Sequence, residues 1–244
     1  PPGASHTAIA LPKDLFAPER PNSRGLDLTD EHTVTDLAEA VHASAEQALE
    51  DTSCSGAMQA IRNPSNHSEL IGSVRFGTEE DVHKAIDAAA TEAPTWAALP
   101  ADERSAKLDR AADLLEENQK ELMALLVREA GKSYANALSE VREAVDFLRY
   151  YAVQAQETAQ AGSSTPLGVV ACISPWNFPL AIFLGQVAVA LAAGNTVVAK
   201  PAEETPFIAL RAVALLREAG VPENALRLVP GAGETGAALL ADSR

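Results

Sequence analysis

Polar residues that could do chemistry follow three apolar stretches in the last third of the sequence. No charged residue occurs from Thr158 to Ala199, and a lysine and a glutamate then end this uncharged run. Such a run is typical of core elements that deliver polar groups to a site. The candidate segments are Ser174-Pro-Trp-Asn177, Lys200-Pro-Ala-Glu203 and Pro230-Gly-Ala-Gly233.

Lys200 and Glu203 lie close together in the second segment. A lysine and a carboxylate at this spacing could hydrogen-bond the two hydroxyls of a ribose. The carboxylate would also repel a 2′-phosphate, and the pair therefore favours NAD over NADP. The alternative is a surface ion pair, which contributes little to stability.

The third segment continues into Gly231-Ala-Gly-Glu-Thr-Gly236, which has the spacing G-x-G-x-x-G. It follows a predicted strand and precedes a predicted helix, as a dinucleotide-binding fingerprint does. A dinucleotide-binding fingerprint is followed by an acidic residue about 20 positions later. That position would fall beyond Arg244, so the sequence cannot be checked for this acidic residue. A plain glycine turn that opens a helix fits the pattern equally well.

Asn177 and the cysteines are the remaining candidates for chemistry. The amide of Asn177 could donate to an oxyanion, although asparagine is also common in turns. Cys172 lies within an apolar stretch and is interpreted as a small core residue rather than a nucleophile. Cys54 is expected to be exposed and inert. The histidines show no metal-ligand spacing, so no metal site is predicted.

Alternating strands and helices should position these residues. Strands are predicted at Leu167–Ile173, Thr196–Ala199 and Ala225–Val229, with helices between them and after them. This order predicts an α/β fold with a partial doubly wound parallel sheet covered on both faces. Such sheets bind ligands at the carboxyl ends of their strands, so the three segments should line one crevice.

Helices and a β-hairpin are predicted before this sheet. The amphipathic helix Asn136–Gln160 is the clearest of them, and its charged residues Glu140, Arg142, Glu143 and Asp146 are interpreted as a solvated face. The other elements are a helix within Thr33–Glu50, strands at Met58–Arg62 and Leu70–Phe76 joined by a turn-rich loop, a helix from Thr78 to about Ala90 that Pro94 stops, and one or two helices from Pro100 to Gly131.

Composition excludes several classes of function. The net charge of -15 argues against nucleic acid and against anionic membrane surfaces as partners. Two cysteines cannot build a disulfide framework, so a reducing cytoplasm is the expected location. The most apolar run, Phe178–Ala193, is shorter than the roughly 20 residues of a membrane span and is interpreted as a core helix. The N-terminal residues show no signal-peptide pattern.

Longer motifs resemble the coenzyme-binding half of the aldehyde dehydrogenase superfamily, and the resemblance extends back to about Ala57. Within the superfamily, the chain most resembles the glutamate-semialdehyde (pyrroline-5-carboxylate) dehydrogenase part of the bifunctional proline utilisation A flavoenzymes, because Pro21–Glu31 is similar to the segment before that domain. The superfamily motifs are ISPWNFP at 173–179, AAGNTVVAKPAEETP at 192–206 and GVPENALRLVPGAGETGA at 220–237.

The resemblance implies a role for each matching position. Asn177 would stabilise the oxyanion of a thiohemiacetal, and Phe178 would line the aldehyde pocket. Lys200 and Glu203 would hold the adenosine ribose. The remaining NAD-binding positions are Ile173, Ser174, Pro175 and Trp176, which would line the groove, and Gly233 and Gly236, which would let the adenine and pyrophosphate approach a helix start.

The family reaction is covalent: a cysteine thiolate attacks the aldehyde, hydride passes to NAD, and a glutamate activates water. The ELGG-like and GQ-x-C-like motifs that carry this glutamate and cysteine do not occur here. We therefore expect a fragment, with an arm or linker containing a helix at 1–55 and the first part of a coenzyme-binding domain at 56–244. Alone it should oxidise no aldehyde, and an incomplete sheet should make it self-associate or be marginally stable.

The resemblance predicts a part in the NAD-dependent oxidation of L-glutamate γ-semialdehyde to glutamate in proline catabolism. Its implied partners are the aldehyde, a proline dehydrogenase domain in the same parent chain, and further copies in a homo-oligomer of the parent. One alternative is a non-catalytic NAD-binding or scaffolding module. Another is an unrelated α/β ligand-binding protein, which would have to match three strand-end motifs by chance.

Overall fold

The computed structural model describes residue 6 and residues 9–46, 48–162 and 165–243. Its helices are α1 (Glu31–Ser44), α2 (Glu79–Ala98), α3 (Ala101–Glu117), α4 (Gln119–Ala130), α5 (Tyr134–Ala161), α6 (Ala181–Ala192), α7 (Pro206–Glu218) and α8 (Gly233–Ala241). Its strands are β1 (Leu49–Asp51), β2 (Met58–Asn63), β3 (Asn66–Arg75), β4 (Val169–Ile173), β5 (Thr196–Lys200) and β6 (Leu226–Leu228).

A parallel sheet of order β4-β5-β6 carries the three candidate segments. Helices α6 and α7 connect its strands, so the α/β class and the parallel sheet are confirmed. Side chains alternate across β5 and divide the core in two. Val198 packs with α2 and α8 on one face, whereas Val197 and Ala199 face the larger core of α3 to α7.

The second sheet has the order β1-β3-β2. Strands β2 and β3 form the predicted hairpin, but the turn is tight, because Ser65 N donates to Asn63 Oδ1 and pairing resumes at Asn66. Strand β1 runs parallel to β3, so the segment before residue 55 shares a sheet with the hairpin. The boundary between 1–55 and 56–244 stays a prediction, and residues 1–5, 7, 8 and 47 of the arm lie outside the described residues.

Helix α1 ends at Ser44, inside the stretch where a helix was predicted, and β1 follows it and pairs with β3. One predicted helix end is wrong. Helix α2 passes through Pro94 and continues to Ala98. Trp96 secures this last turn, since its ring is fully buried and its Nε1 donates to Leu191 O at 3.1 Å.

The charged residues of α5 do not form the solvated face that was expected. Glu140 is buried, and its Oε1 accepts hydrogen bonds from Leu180 N at 2.8 Å and Ala181 N at 3.3 Å. Asp146 accepts from Arg20 and from Ser23 and so attaches the N-terminal arm to α5. Of the four residues assigned to a solvated face, only Glu143 is exposed.

Helix α7 is capped in the same way as α6, by a remote carboxylate. Glu129 on α4 accepts from Phe207 N at 2.7 Å and from Ile208 N at 2.9 Å. These are amides that a local N-cap side chain would normally serve. Burial raises the pKa of the Glu129 carboxyl to about 8, against the lowering effect of the two N–H donors.

None of the described helices combines the length and the apolar character that crossing a bilayer requires. Helix α6, which carries the most apolar run of the sequence, is buried between the sheet and α5. This position agrees with its interpretation as a core helix.

The raised pKa of Glu129 predicts a pH-dependent stability. The carboxyl is neutral in both states below its ordinary pKa, and the folded state resists ionisation until about pH 8, so this residue makes the protein less stable as the pH rises between these values. We expect the free energy of unfolding of the wild type to fall relative to that of Glu129→Gln between pH 5 and 8. Urea unfolding at several pH values measures this difference.

The matched control is Glu39→Gln, since Glu39 is an exposed glutamate on α1. Its pH profile should run parallel to that of the wild type. Parallel profiles for wild type and Glu129→Gln would contradict the prediction.

Candidate functional site

The three predicted segments meet at the carboxyl edge of the parallel sheet. Ile173 is paired with Lys200 across β4 and β5, and Ser174 N donates to Lys200 O at 3.2 Å beyond that pair. Lys200 Nζ in turn donates to Gly231 O at 2.5 Å. The segments are therefore linked by direct hydrogen bonds, although the role of each residue toward a ligand stays a prediction.

Lys200 is an internal residue and not part of a surface ion pair. It is 5% exposed, and its ammonium also donates to Pro201 O at 2.9 Å. Burial lowers the pKa of this lysine. Glu203 Oε2 lies 3.7 Å from the ammonium, while the Glu203 side chain keeps 44% of its surface exposed. The exposed carboxylate is thus held beside a buried cation.

The glycine turn packs against Lys200 on one side and against the start of α2 on the other. Thr235 Oγ1 donates to Gly77 O at 2.9 Å, and Gly77 N donates to Pro230 O at 2.7 Å. Helix α8 begins at Gly233. Its N-terminus therefore lies within the glycine turn, where partial positive charge favours an anion.

The glycines of this turn have different steric roles. A Cβ at Gly231 would overlap Thr235 Oγ1, whereas a Cβ at Gly233 would meet nothing within 4 Å. A Cβ at Gly236 would lie 3.5 Å from the Lys200 side chain, which is an ordinary contact. The fold itself requires Gly231, while the predicted roles of Gly233 and Gly236 concern a ligand.

The first segment presents two aromatic rings at the surface. Pro175 and Asn177 are exposed, and Trp176 and Phe178 are 58% and 40% exposed. Ser174 behind them is buried, and its hydroxyl has no hydrogen-bond partner among the described residues. A buried unpaired hydroxyl costs about 1–3 kcal/mol, so this strand end suits a ligand that would supply a partner.

Sequence reasoning missed two residues beside this segment. Lys132 Nζ donates to Asn177 O at 2.8 Å and lies 2.9 Å from Glu140 Oε2. Glu140 could have been recognised, because Ala137 and Ala144 place it on a buried stripe of α5. Lys132 gave no such signal, since it stands in the loop that follows α4.

Neither thiol of the chain is placed to act as a nucleophile. Cys172 lies in β4 and is buried, as expected, and burial raises its pKa to about 12. Cys54 is also buried, so the prediction that it is exposed is wrong; it packs against the α2 face of the sheet. Burial is the largest cause of the rise of its pKa to about 11. Both thiols stay protonated near neutral pH.

The parallel sheet, the linked strand ends and the glycine turn together define an α/β fold of the doubly wound type, in which ligands bind at the carboxyl ends of the strands. Residues 52–244 match the aldehyde dehydrogenase family, and the chain belongs to this family.

Among named relatives, the chain is similar to the bifunctional protein PutA of Klebsiella aerogenes, with 50% identity over 249 residues that cover 99% of the chain and 19% of that protein. It is 40% identical over 183 residues to the 1-pyrroline-5-carboxylate dehydrogenase of Bacillus licheniformis, covering 70% of the chain and 36% of that protein. The chain thus spans about a fifth of the length of the PutA relative.

Among solved structures, a single-residue mutant of Thermus thermophilus 1-pyrroline-5-carboxylate dehydrogenase superposes with a TM-score of 0.85. It is 32% identical and the match covers 90% of this chain and 47% of that one. The fold of this chain therefore agrees with that of a solved member of the family over most of its length.

The steric difference between the glycines gives a direct test of the turn. Gly231→Ala should lower the free energy of unfolding by about 1–3 kcal/mol, because its methyl group must displace Thr235. Gly233→Ala should change it by less than about 1 kcal/mol, since its methyl enters open space at the start of a helix. Urea unfolding of both variants measures this contrast, and equal losses would contradict it.

Proposed function

We propose that this chain forms part of the NAD site of a longer aldehyde dehydrogenase, called the parent enzyme below. The parent enzyme oxidises L-glutamate γ-semialdehyde to glutamate in proline catabolism. The names of the relatives support this substrate, since they include PutA and 1-pyrroline-5-carboxylate dehydrogenase. The observation that supports the cofactor is the exposed Glu203 carboxylate held beside buried Lys200 at the strand ends.

The residues of the strand ends fit a dinucleotide in three respects. Glu203 would accept hydrogen bonds from the ribose hydroxyls and disfavour a 2′-phosphate, which selects NAD over NADP. The N-terminus of α8 and the open space at Gly233 suit a pyrophosphate. Trp176 and Ser174 would line the groove together with Ile173 and Pro175. Bound NAD would supply the hydride acceptor.

Toward the aldehyde, this chain would contribute Asn177 and Phe178. The Asn177 amide would donate to the oxygen that becomes negative when a thiolate adds to the aldehyde, and Phe178 would line the aldehyde pocket. The nucleophile has to come from outside these 244 residues, because both thiols of the chain are buried and protonated.

The remaining features of the proposal concern the parent enzyme as a whole, and the name of the bifunctional relatives supports a second activity in the same chain. The parent enzyme would carry a proline dehydrogenase domain in the same polypeptide, act in the cytoplasm and assemble as a homo-oligomer. A second candidate function, a non-catalytic NAD-binding or scaffolding module, is favoured by the lack of a reactive thiol in the chain. An assay of the parent enzyme with the semialdehyde and NAD distinguishes the two.

Calorimetric titration with NAD tests the ribose assignment. Glu203→Ala should weaken NAD binding roughly tenfold, because a hydrogen bond to a charged group contributes about 1.5–3 kcal/mol and this group is partly exposed. The same substitution should reduce the preference for NAD over NADP. Glu204→Ala is the matched control, since Glu204 is the neighbouring exposed glutamate.

The titrations are made on this chain and on the parent enzyme. If Glu203→Ala and Glu204→Ala weaken NAD binding to the parent enzyme equally, Glu203 does not bind the ribose.

The state of the thiols predicts that the isolated chain oxidises no aldehyde. NADH formation from glutamate γ-semialdehyde, followed by its ultraviolet absorbance, should stay at the rate of the blank without protein. A rate above the blank that is lost on Asn177→Ala would show that these residues carry the complete reaction.

A further inference from the structure

We infer that Lys132 is a positioning residue for the Asn177–Phe178 turn, and that it acts through the backbone carbonyl of Asn177 and the ring of Phe178. The inference rests on the proposed function, because the turn matters for catalysis only if Asn177 meets the reacting oxygen. The sequence gives no signal for Lys132, and the inference comes from the contacts that Lys132 makes in the structure.

The turn has few internal restraints of its own. Asn177 lies at the surface between Pro175 and Pro179, in a bend that belongs to no helix or strand. Among the described residues, the hydrogen bond from Lys132 Nζ to Asn177 O is the one that restrains Asn177. Holding this carbonyl restrains the peptide plane between Asn177 and Phe178, and with it the backbone from which both side chains project.

Lys132 is itself held by a fixed partner. Its side chain is 13% exposed, and Nζ lies 2.9 Å from Oε2 of Glu140, whose side chain is completely buried. The other oxygen of Glu140 binds Leu180 N and Ala181 N at the start of α6. The Lys132–Glu140 ion pair therefore restrains the connection between β4 and α6 at Asn177, in its middle, and at the start of α6.

The same ammonium also contacts the second predicted residue of the turn. Lys132 Nζ lies 4.6 Å from the centroid of the Phe178 ring, a cation–π distance. The orientation of Asn177 and Phe178 is thus set by a single cation that Glu140 holds against α5. Displacement of a catalytic group by about 1 Å can cost roughly 100-fold in rate, so loss of this cation should be visible in turnover.

The kinetic test uses the parent enzyme with Lys132→Met, which keeps the length of the side chain and removes its charge. We expect kcat to fall about 10- to 100-fold while the KM for NAD changes less than about twofold. The reason is that Lys132 contacts the Asn177–Phe178 turn and not Lys200 or Glu203, which are proposed to bind the ribose. Lys132→Arg should restore most of kcat. The matched control is Lys84→Met, which breaks an exposed ion pair with Glu80 on α2 and should leave both constants unchanged.

A second variant guards against a folding defect. Lys132→Met leaves Glu140 as an uncompensated buried charge, which could destabilise the protein. Lys132→Met/Glu140→Gln removes that charge and keeps an amide oxygen to accept from the start of α6. It should melt near the wild-type temperature and show the same loss of kcat.

NMR spectra of this chain test the inference without an activity measurement. The Asn177 side-chain amide signals, identified by their loss in Asn177→Asp, and the Phe178 ring signals should shift in Lys132→Met and stay in place in Lys84→Met. Unchanged signals overturn the inference, as does an unchanged kcat in an active parent enzyme. A wild-type parent enzyme that oxidises no aldehyde refutes the proposed function, and the NMR signals then decide the role of Lys132.

Discussion

Two buried glutamate side chains bind the starts of the helices that cover the parallel sheet. Glu129 and Glu140 lie near one another in sequence, on α4 and α5, and each accepts two backbone N–H groups, at the starts of α7 and α6 respectively. Each unsatisfied buried donor would cost about 1–3 kcal/mol, so the two residues together account for several kcal/mol of local stability. They also fix how far α6 and α7 stand from the helices behind them.

The position of these helix starts controls the geometry of the candidate site. In this fold the start of a helix follows the end of the preceding strand, where ligands bind. Glu140 therefore acts on the same connection that carries Asn177, and Glu129 acts on the connection that carries Glu203. Lys200 adds a third restraint, because it ties the end of β5 to the glycine turn. The two connections are thus anchored to α4 and α5 through Glu129 and Glu140.

Local pattern predicted the sheet but not these anchors. The continuous apolar runs that became β4 and β5 and the turn residues between them are signals carried by neighbouring positions, so the strand ends could be located from sequence. The caps are different. Thr205 offers a local cap for α7, yet its hydroxyl makes no hydrogen bond among the described residues and Glu129 serves the helix from 78 and 79 positions away. A contact between residues so far apart in the chain produces no periodic pattern of apolar and polar residues in the sequence.

The other wrong predictions, on the charged residues of α5 and on the end of α2, also result from contacts between residues far apart in the chain. Charged residues were assigned to solvent on α5 because charge usually follows exposure, and a buried carboxylate is stable only where the tertiary fold brings it donors and a cation. The helix α2 continues past Pro94 because a distant carbonyl holds Trp96. In each case a local preference worth about 1–3 kcal/mol yields to a contact that forms only when the chain is folded.

The distribution of charge decides which groups remain accessible at the candidate site. Its cations near the site are used internally: Lys200 binds backbone carbonyls and Lys132 binds Glu140 and the turn. The predicted site residues that remain accessible include Asn177, two aromatic rings and the Glu203 carboxylate, which are suited to binding and orienting a ligand. Both thiols are buried, so neither is placed to attack a carbonyl at this edge. Under the proposed function, a thiolate from another segment of the parent enzyme would meet the Asn177–Phe178 turn.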